Sequence, residues 1–262
     1  MTSNDNWGWR ARIGLFIVGN EAVPEAEWWA MAPSSVSIHA ARVSARAPWA
    51  RWRDDRSGVE PEDDLVRGCR QFAAMRLSAV VVGHSSSSIL GGKGWDAATV
   101  ASLSALLAPG VFVTTNGLDT QAALEASNVR RPFLVLPPWF NDDTLAAGLR
   151  YYTDHGFVPA GHLRYDPGRK WRDLPPGELY GRGMGFEQEI DPLYAQIKAK
   201  CPDDADGVLI AGTGFRCVAI LEALEQDLQR PVLSANQASL WHCLRAIGVR
   251  MPVSGYGNLL RL

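Results

Sequence analysis

Cysteine is scarce in this chain. The 262 residues hold four, Cys69, Cys201, Cys217 and Cys243, widely spaced and with no CxxC pair, which argues against a zinc site and against a disulfide framework. An excess of charge of one sign is missing as well. Twenty-six Lys and Arg stand against 28 Asp and Glu, mixed along the chain, so no nucleic acid and no anionic membrane is expected as partner. Long apolar runs are also missing. The longest early one, Ile13 to Val18, is far short of the roughly 20 residues needed to cross a bilayer, and the opening MTSNDNWGWR is polar with no apolar leader core. These absences lead to the expectation of a cytoplasmic protein with a small-molecule partner, no metal site and no membrane segment; a homo-oligomer stays open.

What is present is an ordinary globular composition, 47% hydrophobic and 21% charged, organised in short apolar runs. IGLFIV (13–18), AVVVG (79–83), VFVTT (111–115), FLVLP (133–137), GVLIAG (207–212) and PVLSA (231–235) are rich in β-branched residues and do not alternate cleanly. That pattern predicts strands buried on both faces of a parallel sheet. Between them lie helical patterns at 61–76, 96–108, 119–126, 141–155, 191–200, 219–228 and 236–248, several opened by Asp, Asn or Pro. Alternating strand and helix predicts an α/β fold. The runs also pair along the chain at offsets of about 120 residues: 13–18 with 133–137, 80–83 with 208–212, and 111–115 with 232–235. Two pseudosymmetric Rossmann-like domains follow, residues 1–115 plus 233–262 forming the first and 116–232 the second, with an interdomain cleft.

Open parallel sheets bind ligands beyond the carboxyl ends of their strands, which picks out four stretches. The first strand is followed by Asn20 and Glu21, and the next candidate run by Gly83, His84, Ser85 and Ser86. In the second half the corresponding stretches offer Trp139, and Gly212, Thr213 and Gly214. Backbone N–H groups at a strand-to-helix turn favour an anion, and small hydroxyl residues add donors. Ser85 and Ser86 with Thr213 and Gly214 therefore read as two matching cradles, whereas Ser87 and Ser88 read as helix caps. His84 and Glu21 are candidate acid–base groups. Cys217 lies too far past its turn and reads as core. Two irregular stretches, 44–64 and 163–189, are rich in Pro, Gly, Arg and Trp and are longer than a usual α/β connection. They are candidate lids, with Arg164, Arg169 or Arg182 available as a carboxylate clamp and Trp49, Trp52 and Trp171 as aromatic lining.

Taken together, RIGLFIV with PEAEWWAMAPSSVSIHAARV, VVVGHSSSSILGG, GVLIAGTGFRCVAILEALE, SANQASLWHCLRAIG and GYGNLL resemble the maleate cis–trans isomerase and arylmalonate decarboxylase group of the aspartate/glutamate racemase superfamily. The resemblance spans nearly the whole chain. It implies two pseudosymmetric α/β domains, no metal or organic cofactor, and chemistry on a small carboxylic acid through an enolate or enediolate. It also places His84 where the isomerases carry a catalytic cysteine and the decarboxylases a glycine, Gly212 where both carry a catalytic cysteine, and Trp139 where the family carries a tyrosine, while Ser85, Ser86, Thr213 and Gly214 match its carboxylate cradle. Glu21 falls near an asparagine that the isomerases use. The expected protein is an isomerase-like enzyme with His84 and Glu21 as catalytic groups and Asn20, Ser85, Ser86, Trp139, Gly212, Thr213 and Gly214 binding substrate. The alternatives are a decarboxylase, lyase or hydrolase acting on a related, even aryl, carboxylate, and a non-catalytic carboxylate binder.

Overall fold

A computed structural model describes residues 5–262; the first four residues of the polar N-terminal stretch lie outside it. The first half runs β1 (Ala11–Val18), α1 (Val23–Met31), β2 (Val36–Val43), a hairpin of β3 (Ala50–Trp52) and β4 (Val59–Pro61), α2 (Asp63–Ala73), β5 (Ala79–Val82), α3 (Ser85–Gly91), α4 (Trp95–Ser104), β6 (Phe112–Thr115) and α5 (Asn116–Ala126). The second half runs β7 (Pro132–Leu136), α6 (Asp142–Asp154), β8 (Gly161–Arg164), three one-turn helices α7 (Arg169–Arg172), α8 (Pro176–Leu179) and α9 (Met184–Glu187), then α10 (Ile190–Lys200), β9 (Gly207–Ile210), α11 (Leu221–Leu228), β10 (Val232–Ser234) and α12 (Ala235–Ala246).

Two parallel four-stranded sheets result, ordered β2-β1-β5-β6 and β10-β9-β7-β8. With the hairpin set aside and strands counted from the start of each half, both sheets read second, first, third, fourth. The repeat in the sequence is thus a repeat of topology. Side chains of the first sheet alternate between two cores: Leu15, Ile17 and Val81 enter one, and Phe16, Val80 and Val82 the other. Burial on both faces is why these strands show no alternation of apolar and polar residues. Polar strand ends start the long helices: Thr115 Oγ1 caps α5, and Ser234 caps α12 through a capping box with Gln237.

Two strands of the parallel sheets carry no apolar run. β2 and β8 lie at sheet edges, where one side of the ladder is free. In β8 only Leu163 is buried, with His162 and Arg164 exposed, so it has almost no hydrophobic signature. The chain order reverses between β1 and β5, and again between β7 and β9. These are the switch points beyond which an open α/β sheet leaves a crevice at the carboxyl ends of its strands. Among the described residues no helix is long and apolar enough to cross a membrane, and no cluster of His, Cys, Asp and Glu is arranged to hold a metal ion.

Candidate active site

The strand ends of the two halves meet. Gly83 N donates to Phe16 O at 3.0 Å and Ala211 N to Val135 O at 2.9 Å, each extending the equivalent ladder. That register puts His84 in the position of Gly212, Ser85 in that of Thr213 and Ser86 in that of Gly214. The halves are joined here directly, since Gly212 N donates to Ser85 Oγ at 3.2 Å. The Ser85 hydroxyl in turn donates to Asn116 Oδ1 at 2.6 Å, while Asn116 Nδ2 donates to Ala235 O and Ser239 Oγ, both at 2.9 Å. The Ser85 side chain is therefore engaged in holding the halves together. The backbone amides of Ser85, Ser86, Thr213 and Gly214 take no bond to any described residue, as befits a helix start or a turn aimed at a ligand.

His84 is fixed by a chain of three groups. Trp49 N donates to Ser87 Oγ at 3.0 Å, Ser87 Oγ lies 2.9 Å from His84 Nδ1, and the indole of Trp49 stacks on the imidazole at 4.1 Å between centroids. Ser87 is fully buried and has no other acceptor for its proton among the described residues, so its hydroxyl gives that proton to Nδ1. The neutral ring then carries its hydrogen on Nε2, which has no partner among the described residues. Burial pushes the His84 pKa down to about 3, so the ring is a neutral donor at physiological pH. Ser87 is thus a tertiary connector rather than a helix cap. So is Ser88, whose Oγ accepts from Gly117 N at 3.1 Å.

Glu21 follows β1 and is 6% exposed. Its Oε2 is buried without a hydrogen-bond partner, and burial alone raises its pKa to about 8. It packs over Gly214: a Cβ on that glycine would collide with Glu21 Oε1 and come within 3.0 Å of Tyr180 Cε2. Tyr180 also meets Trp139 edge-to-face at 5.0 Å, and Trp139 meets Phe215 at 5.7 Å. The hydroxyl of Tyr180 is buried and partnerless like Glu21 Oε2. Thr213 is buried, and its carbonyl accepts from Asn236 Nδ2 at 2.9 Å.

Both irregular stretches reach this region. In each half the long connection follows the second strand, β2 or β8, and delivers one aromatic to the strand ends: Trp49 onto His84, Tyr180 onto Trp139 and Gly214. The arginines of the second connection do not point inward. Arg164 pairs with Asp142 at 2.7 Å, Arg182 with Glu178 at 3.3 Å, and Arg169 is exposed. Asn20 is exposed in the turn before Glu21, and Ser86 is half-buried with no side-chain partner. Cys217 is buried core, its thiol pushed far up by burial.

Sequence reasoning read Ser87 as a helix cap and did not single out Tyr180, Asn116 or Glu27, although Tyr180 and Glu27 stand in stretches it marked, 163–189 and PEAEWW.

The missing side chain at Gly212 is enforced by the backbone. Its φ is +102°, and a Cβ would approach Pro137 Cγ to 2.9 Å. Gly212→Cys is expected to cost about 1–3 kcal/mol, read as a lower urea midpoint. A variant as stable as the wild type would show that the turn accepts a β-carbon.

Residues 186–260 match the family model described as arylmalonate decarboxylase. No curated protein matches the sequence. Among solved structures, unliganded arylmalonate decarboxylase is 20% identical over 95% of this chain and 98% of its own, with a TM-score of 0.70. Maleate cis-trans isomerase of Nocardia farcinica bound to TRIS is 17% identical over 96% and 98%, with a TM-score of 0.75. The maleate isomerase Iso of Pseudomonas putida S16 is also 17% identical over 96% and 98%, with a TM-score of 0.78. The chain thus has the two-halved α/β fold shared by arylmalonate decarboxylase and maleate isomerase, and its last third carries the sequence pattern of the decarboxylase family.

Proposed function

We propose that the protein is a cofactor-independent enzyme that passes a small carboxylic acid through an enediolate, with Glu21 moving the proton. The observation that carries this reading is a buried carboxyl whose oxygen has no partner among the described residues, Glu21, just past the carboxyl end of β1 and over Gly214. The free amides of Ser85, Ser86, Thr213 and Gly214 and the Nε2–H of His84 are the donors for the oxygens on which charge develops. A neutral imidazole with a fixed tautomer suits that role, whereas with a pKa of about 3 it would be a weak base.

Two reactions share this machinery. In decarboxylation of a malonate-type acid, the C–C bond breaks, carbon dioxide leaves and the electron pair enters the enediolate. Glu21 then gives its proton to the α-carbon. In isomerisation by proton shuttling, the Glu21 carboxylate first takes a proton from the α-carbon and later returns it. With its pKa at about 8, Glu21 is mostly protonated at neutral pH, which favours the first. The decarboxylase family match over 186–260 agrees with it, and the rings of Trp139, Tyr180 and Phe215 suit an aryl substituent.

The test is a panel of aryl- and alkylmalonates, maleate and α-substituted monocarboxylates, followed by NMR in deuterated water. Carbon dioxide loss with deuterium at the α-carbon is the expected result; isomer interconversion without it would select the shuttle. Tight binding with no product from any member would make the protein a carboxylate binder and end the enzyme reading.

A further inference from the structure

Two buried polar atoms at the second-half end of the site have no partner among the described residues: Oε2 of Glu21 and the hydroxyl oxygen of Tyr180. Both side chains lie over the backbone of Gly214, at the same point where a β-carbon would sit. They come from different halves of the chain, one after β1 and the other from the long connection after β8. Orphaned buried polar groups are uncommon because each forfeits its hydration. Two such groups brought together over one glycine, beside Trp139 and the free amide of Gly214, call for an oxygen that belongs to neither.

We propose that Tyr180 is a substrate-contacting residue, carried on a lid, whose hydroxyl donates to an oxygen of the bound carboxylic acid that Glu21 also faces. The proposal rests on the reading of the site as one for small carboxylates and adds to it a lid-borne donor. Burial and the neighbouring Glu21 both push the Tyr180 hydroxyl well above its ordinary range, so it keeps its proton at every working pH. Glu21, raised by burial, holds its proton through neutrality. The ligand oxygen thus meets proton donors, and with the arginines of the lid paired or exposed, no cation is needed for the contact. Any side chain at Gly214 would displace both groups.

Tyr180→Phe keeps the ring against Trp139 and removes only the hydroxyl. Phenylacetate serves as the probe, measured by calorimetry, with thermal melts of the free protein alongside. The expected result is affinity weakened about 10- to 100-fold with a melting temperature no lower than wild type, because the hydroxyl has no partner to lose in the free state. A purely structural tyrosine would give the reverse pattern, a lower melting temperature with unchanged affinity, and that result overturns the proposal. A Glu21→Gln/Tyr180→Phe double variant should lose less affinity than the product of the two single losses, since both face one oxygen; independent losses would also count against it. If the wild type binds phenylacetate and Tyr180→Phe binds it equally, only the lid contact fails. If the wild type binds no carboxylate of the wider panel, the carboxylate reading falls and this proposal with it.

Discussion

Glu21→Gln should lower kcat/KM by roughly 10²- to 10⁴-fold, the usual worth of a positioned acid–base group, while making the protein more stable in alkali. The second effect follows from the sign of the shift. Burial raises the pKa of Glu21 from 4.5 in the open chain to about 8 in the fold. Between those values the native state holds a proton that the unfolded chain has released, so stability falls as pH rises through that window. The loss amounts to about 3–5 kcal/mol by the top of it, and glutamine, which never ionises, escapes it. Urea unfolding of both proteins at pH 5 and pH 9 reads the difference directly. Parallel pH dependences would show that Glu21 is not held as a buried acid. The pH profile of wild-type activity separates the two reactions. If the protonated form works, kcat/KM declines above pH 8; if the carboxylate works, it climbs toward pH 8.

Much of the fold was legible because the relevant signals are local. Runs such as AVVV and GVLI are apolar at every position since each side of the sheet is covered, and the spacing of such runs exposed the duplication. The edge strand β8, with one buried side chain in four residues, left nothing to read. The site divided in the same way. Strand ends could be located from the runs that precede them, so His84, Ser85, Gly212 and Thr213 fell where the two halves meet. Their chemical duties depend on partners far away in sequence. Whether Ser85 offers its hydroxyl to a ligand depends on Asn116, 31 residues on. The placing of His84 depends on Trp49, which stacks on its ring and bonds Ser87 only because the connection after β2 folds back. Tyr180 lies in a Pro- and Gly-rich stretch with no periodicity, and nothing in its neighbours marks it as the residue that covers Glu21.

Glu27 shows how the turn that builds the second half of the site is held, and its removal should be the most destabilising single change considered. The side chain projects from α1 across to the other half and is 5% exposed. Its Oε1 accepts from the amides of Cys217 and Val218 at 2.6 and 3.0 Å, and its Oε2 from Asn236 Nδ2 at 2.7 Å. Asn236 uses the same nitrogen to hold the carbonyl of Thr213. One carboxyl thereby braces the segment from Thr213 to Val218 against α1 and the start of α12. Burial outweighs these donors and Arg216, leaving the pKa of Glu27 raised. Glu27→Ala strands three buried donors together with a cavity, an expected cost of about 3–5 kcal/mol measurable as a loss of urea midpoint. Glu27→Gln keeps the shape but must turn an NH2 group toward either the two amides or Asn236. Asn236 cannot flip in response, because its Oδ1 would then face the carbonyl of Thr213. The isosteric variant should therefore still lose about 1–3 kcal/mol, and with it the alignment of the Thr213 and Gly214 amides. Activity should fall in both variants even where enough protein stays folded to assay. If Glu27→Gln matches the wild type in both midpoint and rate, the brace does not set the geometry of the turn.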